Sequence, residues 1–161
     1  MTEMDFPLTT GGVCFIDEED LPLIAGIKWY AVKDGTNIYA AASVWNPLTK
    51  KTKTLRMHRI ILGVPSGVLI DHRDGNGLNN RKQNLRVATC RTNGFNRRKN
   101  TTSRSRFKGV SPGSRGRWRA YIRSASGSDL YLGTFPTEEE AAVVWDAAAR
   151  VEHGEFARTN F

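Results

Sequence analysis

The chain has 161 residues, 39% of them hydrophobic, with a formal charge of +8 and a pI near 9.9. This length allows one or two small domains, and the basic balance favours a polyanionic partner. No stretch approaches about 18 apolar residues, which argues against a transmembrane helix, and the acidic N-terminus lacks a secretory signal pattern. We therefore expect a cytoplasmic protein without a membrane partner.

The positive charge is concentrated in one part of the chain. Residues 51–105 carry thirteen Lys and Arg against two acids, a net +11, and residues 106–123 carry six against none. The flanking segments are acidic, at −4 for residues 1–50 and −5 for residues 124–161. A basic block whose two acids both lie close to His72 predicts nucleic-acid binding. A solvated basic surface is the alternative.

The first part of the chain is predicted to be a small α+β module. Residues 17–26 begin with acids and end at Gly26, as expected for a helix. Three β-rich segments follow, at residues 28–32, 37–45 and 51–58. Residues 58–63 then form a short helix closed by Gly63.

A second group of elements surrounds His72. Residues 66–74 are predicted to form a strand, and the Gly- and Asn-rich residues 75–84 a loop. Residues 85–89 form a second strand, and a helix begins at Thr89 or Cys90 and runs to residue 100. Because residues 100–106 are polar and basic, they are the best linker candidate. The predicted domains are 1–99, with a compact core at about 66–99, and 107–161.

The last segment is predicted to be a three-stranded antiparallel sheet packed on one helix. The strands are residues 107–112, 116–124 and 129–135, and the helix is residues 136–154. Thr137 fits the N-cap of this helix, with Glu140 three residues later as in a capping box. An apolar helix stripe for the sheet comprises Ala141, Val144, Trp145 and Ala148. The fold class is therefore α+β.

The two cysteines, Cys14 and Cys90, are far apart and show no metal-binding spacing. This distribution makes a zinc site or a disulfide framework improbable. We expect both thiols to be buried as small hydrophobic groups in a reducing compartment.

Asp71, His72 and the asparagines that follow suggest metal-assisted hydrolysis. Neighbours on a strand point to opposite faces, but at a strand end both Asp71 and His72 can border one site. A carboxylate and an amide oxygen, from Asp71 and Asn93, are hard ligands suited to one Mg²⁺ or Mn²⁺. His72 would be the general base that activates water against a phosphodiester. Asn84 would brace the loop, and a loop carbonyl would fix the ring of His72.

These residues carry a family resemblance. The pair Asp71–His72, an Asn thirteen residues after Asp71 and another nine further on resemble the HNH homing endonucleases, in the ββα-metal variant that ends in Asn. The segments "MHRIILGVPSG" and "DHRDGNGLNNRKQNLRVAT" are similar to phage-type members, which would place the protein in a bacterial host. The resemblance implies that Asp71 and Asn93 bind one divalent ion, His72 is the base and Asn84 is structural.

The remaining two histidines receive weaker predictions. His58 and Arg59 are accessory candidates. His58 either contacts a second phosphate or the leaving group, or is a structural histidine at a helix start. His153 is expected to be structural or exposed.

The strand "GRWRAYIRS" alternates in character. Arg117, Arg119, Tyr121 and Arg123 fall on one face, and the apolar residues fall on the other. A sheet face of this kind can enter a major groove, where Arg pairs with guanine and phosphates. A solvated strand face is the alternative, which the neighbouring basic residues make less attractive.

The last domain is similar to the plant Apetala-two or ethylene-response-factor DNA-binding domains. The segments "FKGV", "GRWRAYIR", "YLGTFPTEEEAAVVWDAAA" and "ARTNF" follow that pattern. The resemblance implies a sheet in the major groove of duplex DNA, with contacts from Lys108, Arg115, Arg117, Tyr121, Arg123, Tyr131 and Thr134. Arg119 joins them through its place on the exposed strand face.

Together these observations predict a DNA endonuclease of homing type that acts as a monomer or weak dimer without a small-molecule cofactor. The alternative that is not an enzyme is a non-cleaving DNA-binding regulator with a decayed nuclease unit. A weaker alternative is an RNA-binding protein.

Overall fold

A computed structural model describes residues 2–161, and the chain forms two compact units that divide between Thr89 and Cys90. Small antiparallel sheets and short helices make up both units. The predicted α+β class is therefore confirmed.

The first unit opens with a β-hairpin that the sequence analysis did not predict. Strands β1 (Glu3–Pro7) and β2 (Val13–Asp17) pair antiparallel around a turn. Gly11 and Gly12 both have positive φ in this turn, a conformation that glycine adopts without a steric penalty. The acids and Pro7 in these strands obscured the alternation, since such residues are uncommon inside sheets and tolerated at edges.

A three-stranded sheet and two short helices complete the support of the first unit. A 3₁₀ turn, Glu18–Asp20, leads into α1 (Leu21–Ile24), and the strands are β3 (Tyr30–Asp34), β4 (Asn37–Asn46) and β5 (Lys51–Arg56), in that spatial order. Helix α2 (Met57–Leu62) follows directly, so the third strand is shorter than predicted. Gly63 ends α2 in the left-handed conformation, as predicted.

One hydrophobic core holds these elements together. Its buried members lie in β2, α1, β4 and α2, next to β1 and β3, and at Leu85. They are Leu8, Cys14, Ile16, Ile24, Trp29, Ala40, Ala42, Met57, Ile61 and Leu85. The indole N–H of Trp29 donates to the carbonyl of Ile24 at 3.0 Å, so this buried polar group is satisfied.

The segment around His72 is a β-hairpin with a long loop. Strands β6 (Leu69–His72) and β7 (Leu85–Ala88) pair antiparallel, and a 3₁₀ turn, Lys82–Asn84, ends the loop between them. The two predicted strands are confirmed, the first with shorter bounds and the second ending one residue earlier. In their register Asp71 lies opposite Arg86 and His72 lies opposite Leu85.

The second unit contains a three-stranded sheet covered by one long helix, as predicted. It consists of α3 (Cys90–Phe95), β8 (Val110–Pro112), β9 (Trp118–Arg123), β10 (Asp129–Phe135), α4 (Glu138–His153) and a final 3₁₀ turn, Gly154–Phe156. The spatial order is β10–β9–β8. The side-chain hydroxyl of Thr137 accepts from the N–H of Glu140 at 3.2 Å, which confirms the predicted N-cap.

The helix and sheet of this unit bury small residues around one tryptophan. Val110, Ala120 and Ile122 from the sheet pack against Ala141, Ala142, Trp145 and Ala149 of α4. The Trp145 indole donates to the carbonyl of Tyr121 at 2.9 Å. A Cβ on Gly109 would overlap that indole, so glycine is required at this close approach.

Helix α3 is shorter than predicted and is anchored within the second unit. It ends at Phe95, after Gly94, a residue that weakens helices. The ring of Phe95 stacks on His153 with centroids 3.8 Å apart, and Arg91 donates to the carbonyl of Ala125 at 2.7 Å. The compact unit therefore begins at Cys90, ahead of the segment 100–106 that was predicted as a linker.

Two smaller predictions concern cysteines and membranes. Cys14 is buried, as expected, but Cys90 is exposed on the first turn of α3, so the prediction of two buried thiols is wrong. A short surface helix has too little apolar contact area to enclose its first residue. Across residues 2–161, no helix combines the length and apolar character needed to cross a membrane.

Candidate active site

Asp71 and His72 line one cleft at the end of β6. Each residue is only 6% exposed, and together with Asn37, Tyr39, Ile70, Gly75 and Gly77 they surround a space of about 40 Å³. The strand ends at His72, and the chain turns at once, with the N–H of Gly75 bonded to the carbonyl of His72 at 2.9 Å. The strict alternation of side chains is thereby relaxed, and both groups border the same space.

Gly77 allows the loop to approach β4 closely. A Cβ at this position would collide with the carbonyl oxygen of Ile38 and with the ring of Tyr39. Glycine here lets the loop pass against the strand, and Tyr39 thereby becomes part of the wall of the cleft.

Arg86 holds the carboxylate of Asp71 in a buried ion pair. Its Nε and Nη2 atoms donate to Oδ2 of Asp71 at 2.8 and 2.6 Å, and both side chains are 7% exposed. The two residues lie directly opposite each other on β6 and β7. The guanidinium therefore fixes the orientation of this carboxylate. The sequence analysis missed Arg86, although its position opposite Asp71 follows once the two strands are paired.

Asp74 is the centre of the asparagine-rich loop. Its Oδ1 accepts from the N–H of Asn76 at 2.8 Å and from Nδ2 of Asn84 at 3.0 Å, and its Oδ2 accepts from Nδ2 of Asn79 at 2.7 Å. Partial burial opposes ionisation, but these three hydrogen bonds lower the pKa of Asp74. Asn76, through its backbone N–H, and Asn79 and Asn84, through their side chains, therefore donate to one carboxylate.

Asn84 connects both ends of the loop. Its Oδ1 accepts from the N–H of Asp74 at 3.1 Å, and its Nδ2 also donates to the carbonyl of Asn79 at 2.8 Å. Its backbone carbonyl accepts from the N–H of Arg73 at 2.9 Å. These are the contacts that the bracing role expected of Asn84 requires.

The N-terminal hairpin supports the same loop from outside. The N–H of Phe15 donates to the carbonyl of Leu78 at 2.9 Å, and the carbonyl of Phe15 accepts from the N–H of Asn80 at 2.8 Å. The buried carboxylate of Asp17 accepts from the N–H of Lys82 at 2.9 Å. Strand β2 thus fixes the loop backbone between the two strands of the site.

Burial keeps His72 neutral. It lowers the pKa of His72 below its usual range, and it outweighs the opposing effects of a hydrogen bond to the Asn80 side chain and of the nearby Asp74 and Asp71 carboxylates. Asn80 is fully buried, and its Nδ2 donates to the carbonyl of Leu78 at 3.1 Å. The neutral ring then keeps one nitrogen able to accept a proton.

Three rings pack together beside the cleft. The His58 ring lies edge-on to that of His72, with ring centroids 5.2 Å apart. The centroid of the Tyr39 ring lies 5.7 Å from the centroid of each histidine ring. Burial lowers the pKa of His58 to about 3, with smaller contributions from the charges of His72, Arg59 and Arg56. His58 is therefore uncharged at neutral pH and does not oppose proton uptake by His72.

Asn93, the second predicted metal ligand, lies in the middle of α3 in the second unit. Asp71 and His72 belong to the first unit, so the sharing of one ion by Asp71 and Asn93 stays a prediction. Within residues 2–161, the side chains of His, Cys, Asp and Glu form no group of three or more that could hold a metal. A site here would depend on amide, water and phosphate oxygens as well as one carboxylate.

The outer face of the second unit's sheet carries the predicted arginines and tyrosines. Arg119, Tyr121 and Arg123 on β9 are exposed, whereas Ala120 and Ile122 between them are buried. Opposite them on β10 stand Thr134, Tyr131 and Asp129, in the same order. The rings of Tyr121 and Tyr131 lie 5.0 Å apart. The predicted alternation of β9 is confirmed.

Local bonds restrain several of these side chains. Arg123 pairs with Asp129 at 2.6 Å, Arg119 donates to the carbonyl of Pro112 at 3.1 Å, and Arg117 donates to that of Thr134 at 3.2 Å. Arg115 lies in the exposed turn before β9 with a φ of 55°. Contacts within the second unit thus hold the guanidinium groups of Arg117, Arg119 and Arg123.

Lys108 differs from the other predicted DNA contacts. Its ammonium donates to the carbonyl of Phe95 at 2.5 Å and lies 5.3 Å from the centre of the Trp145 ring. Burial lowers its pKa to about 8. The ammonium of Lys108 is therefore held by contacts inside the second unit, and its contact with DNA stays a prediction.

Comparison with known proteins agrees with the nuclease prediction. A family model described as HNH endonuclease matches residues 57–95, which include Asp71, His72, Asn84 and Asn93. The chain is similar to the uncharacterized HNH endonuclease L560 of Acanthamoeba polyphaga mimivirus, with 32% identity over 156 residues that cover 93% of this chain and 75% of the viral protein. The chain belongs to the HNH endonuclease family.

Other similarities concern part of the chain or are weaker. Sixty residues are 50% identical to dehydration-responsive element-binding protein 2A of Arabidopsis thaliana, covering 37% of this chain and 18% of the plant protein. Forty-seven residues are 60% identical to the AP2-like ethylene-responsive transcription factor AIL7 of the same plant, covering 29% of this chain and 9% of the plant protein. A solved structure of the HNH homing endonuclease I-HmuI covers 95% of this chain and 91% of its own, at 19% identity and a TM-score of 0.38, which is too low to transfer residue roles.

Proposed function

We propose that this protein is a DNA endonuclease that hydrolyses a phosphodiester bond of duplex DNA with one divalent metal ion, at a site bound by the sheet of its second unit. The observation that carries this proposal is the shared cleft of Asp71 and His72, where a carboxylate fixed by Arg86 stands beside a neutral imidazole. Family membership supports nuclease activity in general.

In this proposal His72 is the general base. Its unprotonated ring takes a proton from the water that attacks the phosphorus, while the 3′ oxygen leaves. The products are a 3′-hydroxyl and a 5′-phosphate end. Asn84 and Asp74 hold the loop that follows His72, so that the base keeps its position during the reaction.

Asp71 and Asn93 are the proposed metal ligands, in the arrangement of an HNH variant whose last motif residue is Asn. Arg86 donates two hydrogen bonds to Oδ2 of Asp71 and so holds the carboxylate in place. The oxygen atoms of an aspartate and an asparagine are hard ligands that suit Mg²⁺ or Mn²⁺. When bound, such an ion stabilises the charge on the phosphoryl group and the leaving oxygen.

The exposed face of β9 and β10 is proposed to bind the major groove. Arg119 and Arg123 of β9, the preceding Arg117 and the two tyrosines provide donors for guanine edges and phosphates. The likeness of 60 residues to a plant protein named for DNA-element binding supports this assignment. Because Asp71 and His72 form a single cleft within residues 2–161, we propose a monomer that nicks one strand, of phage-type origin and acting in the bacterial cytoplasm.

The metal requirement tests the proposal directly. Purified protein, freed of metal with a chelator, is incubated with supercoiled DNA before and after Mg²⁺ or Mn²⁺ is restored. We expect nicked circles only with the ion, and labelled product ends that carry 3′-hydroxyl groups. An inactive wild type that still binds duplex DNA would instead favour a regulator with a decayed nuclease unit. Tighter binding to structured RNA than to duplex DNA would favour an RNA-binding protein.

The proposed DNA-binding face is tested by replacing one exposed arginine. Arg119→Ala is expected to weaken binding to the target duplex about 5- to 150-fold, because one arginine pair with a base is worth about 1–3 kcal/mol. Fluorescence anisotropy at constant salt measures the dissociation constant. Arg150→Ala is the matched control, since it removes the same charge from an exposed position on α4. Equal losses in both variants would contradict a specific role for this face.

A further inference from the structure

We infer that a second cleft of the first unit binds a phosphate of the cut DNA strand, next to the phosphate that is hydrolysed. This arginine cleft encloses about 220 Å³ and is lined by Asp34, Tyr39, Arg56, His58, Arg59, Leu69 and Ile70. The inference rests on the proposed function, since it concerns how the same strand is held beside the active site.

The position of the arginine cleft points to the DNA backbone as its occupant. Tyr39 and Ile70 line both this cleft and the cleft of Asp71 and His72. The ring of His58 in the arginine cleft lies 5.2 Å from the ring of His72. A DNA strand whose scissile phosphate reaches His72 can therefore place a neighbouring phosphate in the arginine cleft.

The charge of the arginine cleft favours an anion. Its two guanidinium groups face one carboxylate, Asp34, whose side chain is 64% exposed and accepts from Nη2 of Arg56 at 3.0 Å. Arg59 donates from Nη1 to the carbonyl of Pro65 at 2.8 Å. These bonds use one nitrogen of each guanidinium and hold its plane, so the remaining donors can address phosphate oxygens as a fork.

Two polar atoms of the cleft lining are buried and lack a hydrogen-bond partner within the described residues 2–161. They are Nη1 of Arg56 and Nδ1 of His58, and His58 is 92% buried because only 8% of its surface is exposed. A buried donor or acceptor without a partner is costly, and a native protein normally satisfies it. Phosphate oxygens would accept hydrogen bonds from Nη1 of Arg56 and, in the tautomer that carries its proton on Nδ1, from His58, whereas a cation or an apolar ligand would leave the guanidinium unsatisfied.

The experiment measures how DNA binding depends on salt in the absence of metal. Each phosphate contact contributes about 0.9 to the slope of log K against log salt concentration. Arg59→Gln is expected to reduce that slope by about 1, as is Arg56→Gln, while Arg59→Lys keeps it. Arg81→Gln is the matched control, because Arg81 is also ion-paired in the first unit, to Glu3, but lies outside the cleft.

The outcomes separate this inference from the proposed function. Circular dichroism verifies that each variant is folded, and binding is measured with a chelator present, so an inactive enzyme does not affect the slope. An unchanged slope in folded Arg59→Gln, or an equal reduction in Arg81→Gln, would contradict the inference that the arginine cleft binds a phosphate. A reduced slope in Arg59→Gln with no nicking by the wild type would sustain the cleft as a phosphate site while the nuclease proposal fails.

A chemically modified substrate then locates the phosphate. In the duplex with a mapped cleavage position, the phosphates beside the cut are replaced one at a time by neutral methylphosphonates. One replacement is expected to weaken wild-type binding several-fold and to have no further effect on Arg59→Gln. Additive losses at every position would contradict direct contact between Arg59 and a phosphate.

Discussion

His72→Ala is expected to slow nicking by about 10²- to 10⁴-fold, the usual contribution of a general base. The ring contributes the proton acceptor beside the attacking water, and no other histidine of the first unit can replace it, because the pKa of His58 is lowered to about 3. The measurement is the initial rate of conversion of supercoiled to nicked DNA under saturating metal. A decrease of less than tenfold would contradict the role of base.

Binding and pH dependence distinguish loss of the base from loss of structure. The affinity of His72→Ala for duplex DNA should equal that of the wild type. Because burial lowers the pKa of His72, its neutral form persists to a lower pH than that of an ordinary histidine, near 6.5. The wild-type rate should therefore fall only as pH drops below this value, and the residual rate of His72→Ala should lack that decline.

Arg86→Leu is expected to lower the free energy of unfolding by about 3–5 kcal/mol, the usual cost of breaking a buried ion pair from one side. The substitution leaves the carboxylate of Asp71 nearly buried without its two hydrogen bonds from the guanidinium. Urea unfolding of the full chain, followed by far-ultraviolet circular dichroism, gives the loss. The same variant should lose nicking activity, because the carboxylate is no longer oriented.

A double variant provides the control for this second prediction. Asp71→Asn combined with Arg86→Leu removes both charges and should recover much of the stability lost by Arg86→Leu alone. It should remain inactive, since a metal ligand is absent. A loss below about 1 kcal/mol for the single variant, or a fully additive double variant, would show that the pair is not coupled in the folded protein.

Local signals were sufficient for much of the fold. The capping pair Thr137 and Glu140 and the alternating residues of β9 act within a few positions of the chain, so their patterns predict the structure that forms. The same holds for Gly63 at the end of α2. Elements without such a signal were missed or misplaced, notably the hairpin of β1 and β2 and the early end of α3.

The amino-acid order alone was also enough to select Asp71, His72, Asn84 and Asn93 as candidates, because a carboxylate, an imidazole and amides at this spacing have few other uses. Tertiary structure decided their surroundings. Pairing of β6 with β7 places Arg86 on Asp71, and the hairpin carbonyl of Phe15 and the carboxylate of Asp74 hold the loop. Burial, which lowers the pKa of His72, likewise depends on β4 and α2. Contacts between residues distant in the chain leave no periodic trace in sequence, since each partner is only one side chain among many that the folded chain brings together.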